Sequence, residues 1–164
     1  SGYSRYEISN YSLPRHQSRH NRVYWSGLGW WSFGQGSTSS PWGEKLTRPR
    51  VSKEYKEWVT RQYEKNLDPS LINKDFIYQE LDEKIMLGLR LKEGIDIYKF
   101  FKEQNWEEKK FEKNLRKLLE EWERFFESGI LVREGNRLFL SDPKGMELSN
   151  QILISMFKWW EEIN

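Results

Sequence analysis

The stretch WEEKKFEKNLRKLLEEWERFFES (106–128), followed by Gly129 and then ILVREGNRLFLSD, constrains the fold of this chain more than any other feature. Phe111, Leu115, Leu118, Leu119, Trp122 and Phe126 recur at helical spacing, so a long helix with one apolar stripe has to pack against other elements. Gly129 stands where a helix commonly ends. The two apolar runs joined around Gly135-Asn136 read as a β-hairpin. Upstream, FIYQELDEKIMLGLRL (76–91) places Ile77, Leu81, Ile85 and Leu89 on one helical face, with Phe76 and Leu87 nearby. Gly94 breaks the chain, and IDIYKFFKEQ makes a short helix. DPKGMELSNQILISMFKWWEEI closes as a helix, entered through Asp142 or the Pro143 turn. The expected fold class is α+β and mainly helical: three helices, a β-hairpin wing and a final helix in a winged-helix-like arrangement.

The N-terminal part reads differently. Residues 1–66 carry 11 Lys+Arg against 5 Asp+Glu, a formal charge of +6, whereas residues 67–164 carry 16 against 20, or −4. Short strands are expected at RYEIS (5–9) and WWSFG (30–34), then a helix over 52–66 capped by Ser52, with Tyr55, Trp58, Val59 and Gln62 as its stripe. These elements are too few to close a domain by themselves. The chain begins with Ser1-Gly2-Tyr3, so it is expected to be a piece of a longer protein. With 37% hydrophobic residues it can bury a core, and no apolar run reaches the roughly 18–20 residues that a spanning helix needs. Residues 1–15 show no secretory signal, so a soluble, cytoplasmic protein is expected. The absence of cysteine excludes disulfides, thiolate metal sites, cysteine nucleophiles and any cysteine-held iron–sulfur cluster within this chain.

A winged-helix pattern raises nucleic-acid binding, which needs a basic groove-facing surface. The 106–128 segment opposes its lysines and arginines with Glu107, Glu108, Glu112, Glu120, Glu121, Glu123 and Glu127, a solvated face rather than a phosphate-tracking one. No nucleic acid is therefore expected. A free-standing winged-helix binding module remains the rival of a different class.

RHNRVYW (19–25) groups an imidazole, a phenol and an indole. A helical backbone pairs His20 with Tyr24 and Asn21 with Trp25, whereas an extended one aligns His20, Arg22 and Tyr24. Either could ligate iron through His20, with Tyr24 and Trp25 packing a macrocycle and Arg19 or Arg22 meeting its carboxylates. Either is equally a polar turn packed by aromatics. His16, beside Pro14, reads as a loop residue. GLGWWSFGQGSTSS has glycines at 27, 29, 34 and 36 but lacks the spacing of a dinucleotide or P-loop fingerprint. Glu7, in YEISN, is either a buried site group or the solvent face of a strand. No serine triad, paired-carboxylate motif or metal-spaced histidine pair supports an ordinary hydrolase.

GYSRYEISNYS, SRHNRVYW, GLGWWSFGQGSTS, TRPR, LDEKIMLGLRLKEGIDI and RLFLSDPKGMELSNQIL occur in this order. Together they resemble the C-terminal part of oxygen-independent coproporphyrinogen III oxidase-like proteins, the HemN/HemW group of radical S-adenosylmethionine (SAM) proteins. The HNxxYW pattern points to the HemW side, the haem chaperones. The resemblance implies that residues 1–45 end a radical SAM partial (β/α) barrel and are poorly ordered or irregularly docked here. It further implies that 46–66 form a connecting helix and that 67–164 form the HemN C-terminal-type domain. It implies haem contact by His20, Asn21, Tyr24 and Trp25, with His20 on the iron, and a SAM-facing loop at Phe33, Gly34, Gly36 and Ser39. Ser37 stands where the family more often has alanine. The family's cofactors are a four-iron four-sulfur cluster and SAM, with haem, and the implied partners are haem or porphyrin and the upstream barrel. Lacking the cluster cysteines, this chain is expected to hold no cofactor and to have no radical activity by itself. The rival within the family is a true coproporphyrinogen III dehydrogenase.

Overall fold

The computed structural model of the chain describes residues 2–41, 45–64 and 80–164, with only the backbone of 63–64. In chain order the elements are β1 (Ser4–Arg5), β2 (Tyr11–Ser12), α1 (Arg19–Trp25), β3 (Thr38–Ser39), β4 (Leu46–Thr47) and α2 (Ser52–Glu64). They continue with α3 (Leu81–Leu89), β5 (Ile95–Asp96), α4 (Ile97–Lys102), α5 (Glu108–Glu121) and α6 (Glu123–Glu127). The last are β6 (Leu131–Glu134), β7 (Arg137–Leu140), α7 (Lys144–Glu147) and α8 (Ser149–Ile163). The chain is thus a mixed α+β structure made of two units, Ser1–Ser26 with Glu80–Asn164, and Gly27–Gln79.

The first unit is organised by the apolar stripe of residues 106–128. Leu115, Leu118 and Trp122 are buried with Leu81, Ile85 and Leu89 of α3, Ile97 and Phe101 of α4, and Ile152, Met156 and Trp159 of α8. Burial of so much apolar surface, at about 25 cal/mol per Å², is the main force holding these helices. The expected 106–128 helix is interrupted at Trp122, whose carbonyl accepts from Phe125 N at 2.9 Å in a tightened turn. That break advances the helical phase, so Phe125 is buried and Phe126, expected in the stripe, is only half-buried. The closing helix is likewise divided, at Leu148, into α7 and α8.

The hairpin forms as its turn signal requires. β6 pairs with β7 in antiparallel register from Leu131↔Leu140 to Glu134↔Arg137, and Gly135 takes φ +62° in the turn. Sequence reading missed the third strand: β5 pairs with β7 through Ile95↔Leu138 and Asp96↔Arg137, giving the order β5-β7-β6. Gly94 makes this possible, because its φ is +68° and a Cβ there would lie 2.0 Å from the Leu138 carbonyl oxygen. Asp96 then accepts from Lys99 N at 2.9 Å and caps α4. The part of the expected 76–91 helix before residue 80 lies outside the described residues, as do residues 65–66 of the expected 52–66 helix.

The N-terminal strands are shorter than expected. The 5–9 run turns after β1, with Tyr6 N donating to Asn10 O at 3.1 Å, and returns as β2. The 30–34 run contributes only a bridge between Trp30 and Ser40, because Ser32 N donates to the Ser39 hydroxyl (3.0 Å) rather than to a backbone ladder. Ser52 is not a cap: Tyr55 N bonds to Val51 O, and the Ser52 hydroxyl donates to Gln35 Oε1 at 2.8 Å. Among the described residues no helix is long and apolar enough to cross a membrane.

Candidate functional site

RHNRVYW is a helix, which decides between the two backbones the sequence left open. Ser18 starts it in an extended conformation and accepts from Asn21 N at 3.3 Å. The i,i+4 spacing brings the His20 and Tyr24 rings to 4.9 Å, edge to face at 73°. His20 is exposed, while Asn21, Tyr24 and Trp25 are half-buried.

The opposite side of α1 is tied down. Arg22 Nη1 donates to Gln17 Oε1 (2.7 Å) and to Glu93 Oε1 (3.0 Å). The Arg90 guanidinium lies 4.1 Å from the centre of the Trp25 ring, a cation–π stack. Arg90 Nη2 in turn faces Glu7 Oε2 at 3.9 Å. Of the two readings of Glu7, burial is the observed one: it is fully enclosed, and Oε1 accepts from Ser9 N at 3.0 Å and from Asn10 Nδ2. Glu7 Oε2, Arg90 Nε and Trp25 Nε1 are buried without hydrogen-bond partners. Sequence reading missed Arg90 and Glu93, although a basic residue inside the apolar run LGLRL was a usable signal.

The glycine-rich segment belongs to the second unit. Phe33 is 86% exposed, Gly34 and Gly36 take φ +91° and +69°, and Ser39 is fully buried. Arg48 Nη1 donates to Ser39 Oγ (2.9 Å) and Ser37 Oγ (3.2 Å) and closes the loop from within. The four candidate residues of this loop therefore divide, with Phe33 and Gly34 outward and Ser39 inward. His16 sits in an exposed turn, its N donating to Leu13 O at 3.0 Å.

The donor chemistry separates the implied groups. An exposed imidazole with an aromatic neighbour suits an axial ligand to haem iron. The absence of cysteine leaves no thiolate for an iron–sulfur cluster in this chain. Among the described residues no group of three or more His, Cys, Asp or Glu side chains is arranged to hold a metal ion.

A family model described as "HemN C-terminal domain" matches residues 79–148. The chain is 32% identical over 98% of its length to "Heme chaperone HemW" of Synechocystis sp., covering 41% of that protein. It is 28% identical over 92% of its length to "Heme chaperone HemW" of Lactococcus lactis, covering 37% of it. The same name belongs to a Bacillus subtilis relative, 26% identical over 60% of the chain and 25% of that protein. The chain thus spans about two-fifths of the length of the first two relatives. No solved structure matches it.

Proposed function

Because this chain belongs to the HemN/HemW family of radical SAM proteins, on its HemW side, we propose that it serves haem binding and delivery and that helix α1 is its haem-contacting element. One observation carries the reading: α1 presents the exposed His20 imidazole with Tyr24 edge-on beside it, within the HNxxYW pattern. Haem supplies an iron that takes an axial nitrogen ligand, a wide apolar face and two propionates. His20 is the ligand and Tyr24 the aromatic wall, while Asn21 and Trp25 complete the motif from half-buried positions. Arg19, exposed at the start of α1, is the cation for a propionate, since Arg22 is committed to Gln17 and Glu93.

In this reading residues 1–45 end a radical SAM barrel, residues 46–66 connect, and residues 67–164 form a winged-helix-like domain, which the β5-β7-β6 sheet and its hairpin support. Phe33, Gly34 and Gly36 face SAM in the whole protein, supported by the outward Phe33 and the left-handed glycines, while the inward Ser39 shapes the loop through Arg48. Cluster ligands have to come from outside this chain, which carries no cysteine and no radical chemistry of its own. The glutamates of α5 and α6 argue against nucleic acid as a partner.

Spectroscopic titration with haem tests the proposal. The whole protein containing this chain is expected to give a Soret shift that His20→Ala abolishes or strongly displaces. An unchanged Soret band in His20→Ala overturns haem ligation by α1. Conversion of coproporphyrinogen by the cluster-loaded protein favours the dehydrogenase rival.

A further inference from the structure

We propose that Arg90 is a positioning residue: held by the buried carboxylate of Glu7, it stacks on Trp25 and thereby keeps α1 turned so that His20 faces outward. The link to haem rests on the function proposed above, whereas the link to α1 stands on geometry alone.

Glu7 is a fixed point. Besides Ser9 and Asn10, which hold its Oε1, the backbone on either side of it is laced to Arg90 and its neighbours: Ile8 N donates to Arg90 O at 3.0 Å, and Lys92 N donates to Tyr6 O at 3.1 Å. A carboxylate enclosed in protein requires a charged or hydrogen-bonding counterpart, and Arg90, with 27% of its side chain exposed, is the cation facing it. A guanidinium is planar, so one edge can face a carboxylate while its face lies on an indole; an ammonium is a point charge with no plane to stack. Trp25 is the ring it meets.

Helical geometry gives this contact its consequence. At about 100° per residue, Trp25 lies about 140° around α1 from His20, and Arg22 about 160° from it. Both anchored side chains therefore lie on the side opposite His20. Their partners, Arg90 and Glu93, are three residues apart in the LRLKEG turn and fall within the stretch matched by the HemN C-terminal domain. Glu93 is itself fastened to the sheet, its carbonyl accepting from Arg137 Nε. One service of that domain is thus to orient the motif helix, with Arg90 as the central joint and Arg22–Glu93 as a second tie.

The test separates charge balance from stacking in the whole protein. Arg90→Met alone strands the Glu7 charge and is expected to lower both thermal stability and haem affinity. The double variant Glu7→Gln/Arg90→Met removes the buried charge pair while keeping side-chain volume. It is expected to recover most of the thermal midpoint, yet to leave amide exchange in residues 19–25 and the haem dissociation constant each about tenfold above wild type, the scale of losing a partner that orients a ligand. Wild-type exchange protection of 19–25 in the double variant overturns the proposal, because Arg90 then only neutralises Glu7. Should the double variant fail to fold, Arg90→Lys keeps the charge without the planar stack. Faster exchange at 19–25 in Arg90→Lys supports the proposal, and unchanged exchange overturns it. If His20→Ala leaves the Soret band unaltered, the haem reading falls, and the exchange rates alone decide the role of Arg90.

Discussion

The two units of the chain bury opposite kinds of side chain. In the first, the enclosed residues are mostly apolar, with Trp122, Phe101, Leu118 and Ile152 inaccessible to solvent. In the second, none of the buried residues among those described is a large hydrophobe; Ser39, Ser40 and Arg48 are enclosed instead. Apolar burial is non-directional and tolerates imprecise partners, whereas a buried hydroxyl or guanidinium is stable only with its hydrogen bonds in place. The first unit is therefore a core to which helix α1 is fastened. In the second, the glycine-rich loop has its shape set by a few directional bonds around Arg48.

The largest break in this comparison is expected at Trp122. Trp122→Ala empties the centre of the first unit and is expected to cost about 3–5 kcal/mol, read as a lowered denaturation midpoint. A loss below about 1 kcal/mol would mean that the stripe does not organise this unit. The counterpart in the second unit is Arg48→Met. It removes the donors to Ser37 and Ser39 and the stack of Arg48 on Trp58, whose ring centre is 5.6 Å away. Hydrogen bonds from a charged group contribute about 1.5–3 kcal/mol, so the Ser40 amide, bonded to Trp30 O, is expected to exchange about 10- to 100-fold faster. Unchanged exchange at Ser40 would remove Arg48 from its structural role.

Legibility in the sequence followed periodicity rather than unit, since α2 of the second unit was read as the helices of the first were. The helices and the hairpin of the first unit were readable because apolar periodicity records which face is buried, as at Leu81, Ile85 and Leu89. The break at Trp122 was not, since a one-residue change of phase leaves Phe125 and Phe126 equally apolar on paper. The strand expected at 30–34 failed because Ser39 competes through its side chain for the Ser32 amide, a choice that β-propensity does not record. Of the site, the residue types of α1 were legible but its backbone was not. Arg90 stood out only as a basic residue in an apolar run, and its pairing with α1, like that of Glu93, was not legible because the two meet α1 from 65 or more positions along the chain.

A smaller effect probes the border of the apolar core through protonation. Burial raises the pKa of Asp82 above its ordinary 3.8, aided by Glu80 and Glu83 and opposed by backbone hydrogen bonds. The folded state thus holds the proton to higher pH than the unfolded chain does. Stability attributable to this group is fully present below about pH 3.8 and is lost as pH rises through the folded-state value. Asp82→Asn is therefore expected to gain on the wild type across that window and to hold a constant advantage above it, measured as denaturation midpoints at a series of pH values. A wild type that gains on Asp82→Asn with rising pH would reverse the sign and identify the carboxylate as favourably placed.

The smallest effect sharpens the comparison, because it concerns an arginine in the first unit. Arg116 pairs with Glu120 one turn along α5 at 3.7 Å, with 73% and 66% of their side chains exposed. An exposed i,i+4 pair contributes about 0.3–0.5 kcal/mol and is screened by salt. Arg116→Ala is expected to shift the denaturation midpoint by no more than that at low ionic strength, and by less at 1 M salt, where the screening length falls to about 3 Å. The expected contrast with Arg48, 8% exposed and bonded to two serine hydroxyls, is several-fold for the same residue type. If Arg116 and Arg48 prove equally costly to replace, burial is not what distinguishes the two units. If they differ as expected, the second unit depends on an enclosed arginine in the way the first depends on its tryptophan.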